Sequence, residues 1–560
     1  MALHDATFLD RLPALPRLGL GISTEHGAGD RPGALDLLAL RAGHPHLAGF
    51  LEVGLEVERG FDRHTRAWIE AGGRTTLHFL DLNLEDPQDL DPTWLAGFRA
   101  AIGQLRPAWI CGDAGLWHTG GRERGQMLLL PPILTDESAR QMAEGIIALR
   151  EATGLEVLPE NPPGTVYVGD LHLIEFFARL CEYADTGMLL DLAHLAIYQA
   201  ASGHELMDGL DSLPADRVIE CHIAGGVHRE TQGWPWIDDD HGTDILPQTW
   251  ALTDAVLPRA QNLRAIVYEC ERNPLEACLP GLREINARWQ GTVLRPVARR
   301  PALPPAPSPP RDPRRIQRAV VSLLHDPTLE DFPTLTEAER ALLRDIEPRA
   351  LRTDPYRRGR VLTALLEEAP TSAALALGGE PAAALDDFFS SKRFHRAVAE
   401  EERFALAFLD WLQPKAGGLA LLEAAIARAR RDPPRQAGTL LQRAPGLLPV
   451  CLPAGTLARF ASLSQQLGTE PLAALAEGLP VTPPPLESGE EWLLVDLRAG
   501  LSECGEELAR LILAADQPQS DEHLVQLARE LGADDAAAEV IADLVADGSL
   551  VPAGGALVSR

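Results

Sequence analysis

Imidazoles at His78, His194, His222 and His241, and carboxylates at Glu56, Glu160, Asp191, Asp239 and Glu269, give this chain the donors of a metal centre. Mixed histidine and carboxylate sets without cysteine suit the harder first-row ions, iron and manganese above all, with zinc also admissible. A mononuclear site uses three or four such donors. The surplus points to two or more ions sharing bridging carboxylates, which stand about 3.5 to 4 Å apart in binuclear chemistry.

The spacing of each motif sets what it can do. LLDLAH (189–194) puts Asp191 at the end of an apolar run and His194 three residues on. The two meet one ion if the strand turns straight into a helix, although an Asp there also caps that helix. In PENPPG (159–164), Glu160 and Asn161 precede two prolines that end a strand. In CGDAGLWH (111–118), Asp113 ends a run with Trp117 and His118 close behind. In ECHIAGG (220–226), Glu220 and His222 share a strand face, and glycines including Gly225 let a substrate approach the backbone. IDDDHG (237–242) sets three acids against His241 after Trp234 and Trp236; Asp238 and Asp240 read as a solvated face and Asp239 as a donor. YECE (268–271) offers two carboxylates on one face, with Glu269 at the strand end. The candidate donors are His78, Asp113, Glu160, Asp191, His194, His222, Asp239, His241 and Glu269, while PENPPG also reads as a simple turn and Asn161 enters the metal set only through the resemblance given below. Catalytic roles fall on Glu160, Asp191 and His241, and substrate contacts on Glu56, Trp117, Gly225 and Trp236. Cys111, Cys181, Cys221 and Cys270 interleave with apolar residues and read as small buried hydrophobes. The sequence carries no nucleophile elbow, phosphate loop or dinucleotide fingerprint.

These residues need elements to converge them. Eight short apolar runs, Leu18–Ile22, Phe50–Leu55, Thr75–His78, Trp109–Asp113, Leu155–Glu160, Met188–Asp191, Val218–His222 and Ala265–Glu269, are separated by helix-forming stretches. Strands alternating with helices predict βαβ units, and eight of them predict a closed (β/α)8 TIM barrel, an α/β fold with its chemistry at the C-terminal strand ends.

At 560 residues the chain exceeds what one core serves. We expect a metal-binding barrel over 1–296, a proline-rich linker over 297–313, a helical domain over 314–415, and a C-terminal module over 416–560. The last is helical with a strand-like EEWLLVDLRAG segment and a closing strand near 548–551, an α+β order resembling a winged helix or peptide-binding module. A net charge of −30 disfavours nucleic acid as a partner. Charged residues at 24% leave no window for a membrane span, and the start lacks a signal-peptide pattern. With 7 scattered cysteines, a reducing cytoplasm is the expected location; the oligomeric state is open.

With LEVGLE, TTLHF, PENPPG, LLDLAH, HIAGG, DDDHG and YECE in this order, the first 290 residues resemble the multinuclear non-haem iron-dependent oxidative enzymes, the family of the methanobactin-forming oxidase. The resemblance implies a xylose-isomerase-like barrel holding two or three iron ions (Fe2+/Fe3+). It further implies O2 as co-substrate and oxidative remodelling of a residue, often cysteine, in a ribosomally made precursor peptide. The family's strand-end histidine falls on His78, its Glu-Asn pair on Glu160 and Asn161, and its Asp-x-x-His on Asp191 and His194. Its acidic loop falls on Asp239 and His241, its last carboxylate on Glu269, and its His-x-Ala-Gly on His222. Ala114 departs from the family, which has histidine there, so Asp113 or His118 serves instead, or one iron position is altered or empty. Residues 315–413 resemble the partner proteins that bring in a leader peptide, making the chain a fusion of oxidase and partner. The C-terminal residues would then grip the leader by strand addition. Two alternatives remain open: a metal-dependent isomerase or phosphoesterase on the same barrel, and a non-catalytic scaffold.

Overall fold

All eight apolar runs form strands of one parallel sheet. They are β1 (Gly19–Thr24), β2 (Phe50–Leu55), β3 (Thr75–Phe79), β4 (Ile110–Asp113), β5 (Val157–Glu160), β6 (Met188–Asp191), β7 (Val218–Ala224) and β8 (Ala265–Glu269). β1 pairs with β2 on one side and β8 on the other, so the barrel closes in sequence order. The computed structural model describes residues 6–122, 128–295, 311–353, 355–377, 381–432, 440–477 and 481–552, and the side chains of 355–358, 381–384 and 476 are left aside. Most of the expected linker, 296–310, lies outside the described residues.

Local sequence sets the helix starts between the strands. Asp91 accepts from the backbone N–H groups of Thr93 and Trp94 at 3.0 and 2.9 Å, with Pro92 at the first helical position of Pro92–Leu105. Thr135 caps Asp136–Thr153, and Gly154 ends that helix at φ 73°. The outward strand faces then meet these helices in a core that includes Trp68, Phe98, Phe176, Phe177 and Tyr268.

The strand interior is layered by the two-residue alternation. Phe50, Trp109, Leu158, Leu189, Ala265 and Val267 fill the lower barrel with Phe8 and Leu12 of the N-terminal segment. Above them stand Glu52 and Cys111, two residues beyond Phe50 and Trp109, together with Glu220 of β7. Asp113, Glu160, Asp191, His222 and Glu269 crown the strands, all buried. At the closed end Arg11 pairs with Glu156 and donates to the Asp185 carbonyl at 2.7 Å.

The chain divides into two compact units, residues 1–358 and 359–560. The first contains helix Pro313–His325, whose Ile316, Val320 and Leu323 pack with Ile133, Val166 and Val168 from loops beyond β4 and β5. Arg311 pairs with Asp170, and Arg314 with Asp86 at 2.8 Å. The second unit contains helices Pro370–Leu377, Lys392–Ala399, Phe404–Ala416 and Gly418–Arg430, followed by mixed structure. Strands Leu447–Pro453, Glu490–Asp496 and Gly500–Glu503 form an antiparallel sheet, and Leu441–Arg443 pairs with Leu550–Pro552. The strand expected at EEWLLVD and the closing strand are both present. Among the described residues no helix is long and apolar enough to cross a membrane.

Candidate metal centre

Glu160, the last residue of β5, is the hub. Its Oε2 lies 2.7 Å from His78 Nε2, and its Oε1 lies 3.1 Å from His222 Nδ1 and 3.6 Å from His194 Nδ1. Donor atoms of His78, Asp113 and Glu160 lie within 4.8 Å of one another, as do those of Glu160, Asp191 and His194. One carboxylate thus belongs to two donor triads. A third triad, Glu52, His222 and Glu269, adjoins them, with His222 Nε2 at 3.1 Å from Glu52 and Nδ1 at 3.4 Å from Glu269.

Two further elements complete the mouth. The hairpin of Gly226–Thr231 and Trp234–Asp239 follows β7, and its closing register, Gly226 opposite Asp239, delivers Asp239 Oδ2 to 3.2 Å from His194 Nε2. His241 then sits in the left-handed region at φ 51°, a costly conformation for a histidine. Asn273 donates to its carbonyl at 2.8 Å, while Glu271 takes its Nδ1 at 3.0 Å. Its Nε2 faces Asp239 at 3.5 Å and Glu269 at 3.7 Å.

Asp191 caps the following helix with one oxygen and leaves the other available as a donor. Its Oδ1 caps the helix by accepting from His194 N at 2.5 Å, while its Oδ2 has no hydrogen bond. Asn161 holds this turn: its side chain donates to the Asp191 carbonyl and accepts from the Asp191 N–H, each at 2.9 Å, and its own carbonyl meets His194 Nδ1 at 2.9 Å. It therefore positions Asp191 and His194.

The electrostatics are those of a carboxylate cluster short of positive charge. Burial pushes Asp113 up to about 8, assisted by Glu160. Burial also raises Asp191 to about 7, with Glu269 adding to it and His194 opposing. Burial would raise Glu160 too, but His222 and His78 hold it well below the usual range. Burial disfavours the His78 cation, yet Glu160, Glu52 and Asp113 lift it to about 9. Carboxylates likewise keep His194, His222 and His241 well above the ordinary imidazole value against burial. Protons thus do here what cations do in a loaded site.

The donor set fits metal. Asp113 Oδ1, Glu160 Oε1, Asp191 Oδ2, Asp239 Oδ1, Glu269 Oε2 and both nitrogens of His222 are buried without a hydrogen bond. Buried polar atoms are seldom left so. Their convergence accounts for the orphans if ions take those positions.

The remaining sequence candidates lie apart. Glu56, just beyond β2, pairs with Arg59 at 2.8 Å. Trp117 is buried, its indole N–H on the Asp113 carbonyl at 3.2 Å. Trp236 donates to Thr231 Oγ1 at 3.1 Å and, by alternation, faces away from Asp239 on the hairpin. At Gly225 a β-carbon would lie 2.3 Å from the Gly242 carbonyl oxygen, so the missing side chain admits the 239–242 loop. His118 is tied to Asp89 at 3.2 Å and to the Gly120 carbonyl at 2.9 Å, away from the cluster. Asp238 pairs with Arg229 at 3.2 Å, as a solvated residue would. Sequence reasoning missed Glu52, and it passed over Cys111 as a donor and Glu271 as the partner of His241. For Glu52 the signal was alternation from Phe50, which turns Glu52 inward and leaves Glu56 past the strand.

A closed (β/α)8 TIM barrel with a buried polycarboxylate and histidine centre is the class defined by this geometry. Residues 27–286, nearly the whole barrel, match the family described as RiPP precursor modification enzyme MbnB/TglH/ChrH. Among curated relatives, the UPF0276 protein of Rhizorhabdus wittichii is 24% identical over 246 residues, covering 43% of this chain and 83% of the relative. That of Rhizobium meliloti is 26% identical over 230 residues, covering 38% and 74%. Of solved structures, endonuclease IV from Thermus thermophilus aligns at 17% identity and TM-score 0.32, over 49% of this chain and 99% of that one. A xylose isomerase domain containing protein from Salmonella typhimurium aligns at 13% and 0.30, over 49% and 96%. At these scores neither likeness bears on chemistry.

Proposed function

We propose that the barrel is an iron-dependent, O2-using enzyme that oxidatively modifies a residue, cysteine on the family resemblance, in a ribosomally made precursor peptide. The observation that carries this reading is Glu160, one buried carboxylate common to two histidine and carboxylate triads, the arrangement a bridged metal pair requires. His78, Asp113, Glu160, Asp191, His194, His222, Asp239, His241 and Glu269, with Glu52, would hold two or three ions. Iron bound there supplies one-electron chemistry with O2 and a position for a substrate thiolate.

The chain's own groups have definable tasks. Asn161 orients Asp191 and His194 through the backbone of the β6 turn. The hairpin carries Asp239 over the strand ends and narrows the mouth. His241 is the most exposed of the four imidazoles, at 21%, and Glu271 fixes its ring by taking Nδ1. Its Nε2 is therefore the atom by which His241 would meet an ion at the mouth, with Glu271 holding the ring's other N–H. Glu56 and Trp236, outside the donor cluster, would contact the peptide only away from the reacting residue. The regions 314–415 and 416–560 would recruit the leader of the peptide, in the cytoplasm.

Co-expression with candidate ribosomal precursor peptides tests the reading by intact mass. An O2-dependent mass change on one residue, absent from anaerobic cultures, supports it. An unmodified peptide beside iron-loaded enzyme, or turnover sustained by zinc or manganese without O2, overturns it in favour of hydrolytic or isomerising chemistry.

A further inference from the structure

Barrel interiors of this type are ordinarily filled by branched apolar side chains. The layer beneath the upper ring here carries instead two fully buried carboxylates and a thiol. Glu52 is 2% exposed, and Cys111 and Glu220 are 0%. No lysine or arginine pairs with either carboxylate among the described residues, so their burial is expensive unless another cation shares the layer.

The contacts indicate where that cation sits. Donor atoms of Glu52, Cys111 and Glu220 lie within 4.8 Å of one another. Glu52 divides its oxygens between two levels: Oε1 faces His222 Nε2 at 3.1 Å above, and Oε2 accepts from Cys111 Sγ at 3.0 Å below and from Thr76 Oγ1 at 3.4 Å. Glu220 is fixed from beneath, where Oε2 accepts from Trp109 Nε1 at 2.6 Å, and its Oε1 is buried without any hydrogen bond. A carboxylate held on one oxygen and orphaned on the other, in reach of a thiol and a second carboxylate, is half of a coordination shell.

We propose that Glu52, Cys111 and Glu220 form an additional, deeper cation site for a thiophilic divalent ion of the zinc class, linked to the upper ring through Glu52. Sulfur in the donor set distinguishes it from the histidine and carboxylate ring, because thiolate selects softer ions. On binding, the Cys111 sulfur exchanges its proton for the metal, the proton passes to solvent, and no electron moves.

The test uses the full chain produced in medium supplemented with zinc or, separately, cobalt(II). X-ray absorption at the zinc edge is expected to require a sulfur neighbour at about 2.3 Å. The cobalt protein is expected to show a thiolate charge-transfer band that disappears in Cys111→Ser, weakens in Glu220→Gln and persists in Cys221→Ser, whose sulfur lies outside the barrel interior. Metal content in Cys111→Ser should fall by a single ion. A shell of oxygen and nitrogen alone in the wild-type protein overturns the proposal even if Cys111→Ser fails to fold. It leaves the layer as a proton-sharing cluster and the upper ring unaffected.

Discussion

Within the upper ring Glu160 contributes to two donor triads, whereas Asp113, Asp191 and Glu269 each contribute to one and Glu52 shares its second with the deeper layer, so removal of Glu160 should cost the ring more than any other single change. Glu160→Gln is expected to lower metal affinity by more than the roughly 10- to 100-fold that loss of an outer-shell partner costs. Asn161→Ala, which only frees Asp191 and His194 from their backbone clamp, should fall within that range. Competition against a chromogenic chelator measures both. Equal retention of metal by Glu160→Gln and wild type would remove Glu160 from the centre. Most of these donors were legible in the sequence, because a donor ending an apolar run stands at the barrel mouth by topology alone. Glu52 was not, since it lies mid-strand where burial of a carboxylate is unexpected, and Glu56 drew attention at a position that the strand does not reach. Cys111 looked like a small hydrophobe for the same reason: its apolar neighbours point outward, which sequence does not distinguish from a core on both sides.

At the level of elements, strand boundaries were readable within a few residues, and Phe50–Leu55, Met188–Asp191 and Ala265–Glu269 match without change. What period and propensity do not contain is how the N-terminal segment closes the barrel floor. Arg11 and Glu156 do so as a buried pair, 9% and 5% exposed, between residues far apart in sequence. Arg11→Ala leaves the Glu156 charge uncompensated and is expected to cost about 3 to 5 kcal/mol in urea unfolding; a change within error would show the pair to be incidental. The capping box at Thr336 gives a pH signature. Burial opposes ionisation of Glu339, but N–H groups of Asp312 and Thr336 and the Arg315 guanidinium lower it from 4.5 to about 2. A depressed carboxylate stabilises above its unfolded value and loses that contribution as pH falls through its folded one. The stability gap between wild type and Glu339→Gln should therefore be full above about pH 4.5 and vanish by about pH 2. A gap independent of pH would contradict this.

For the whole molecule, every donor of the upper ring and the deeper layer lies within the unit of residues 1–358. That unit produced alone should retain the metal content of the full chain while capturing the precursor peptide more weakly, since it keeps only residues 314–358 of the recruiting regions, measured by metal analysis and by fluorescence anisotropy of a labelled leader. Loss of metal from the isolated unit would place a ligand in residues 359–560. Sequence marked a composition change at the proline-rich stretch. It did not reveal that helix Pro313–His325 packs with loops beyond β4 and β5, since that contact joins two apolar surfaces without pairing motifs. The central claim, a multinuclear iron centre, is tested most directly by metal quantification with Mössbauer spectroscopy on full-length protein grown with iron and purified anaerobically without chelator. The account predicts two or more irons per chain with exchange-coupled spectra. Stoichiometric zinc or manganese without iron, or no bound metal, would contradict it.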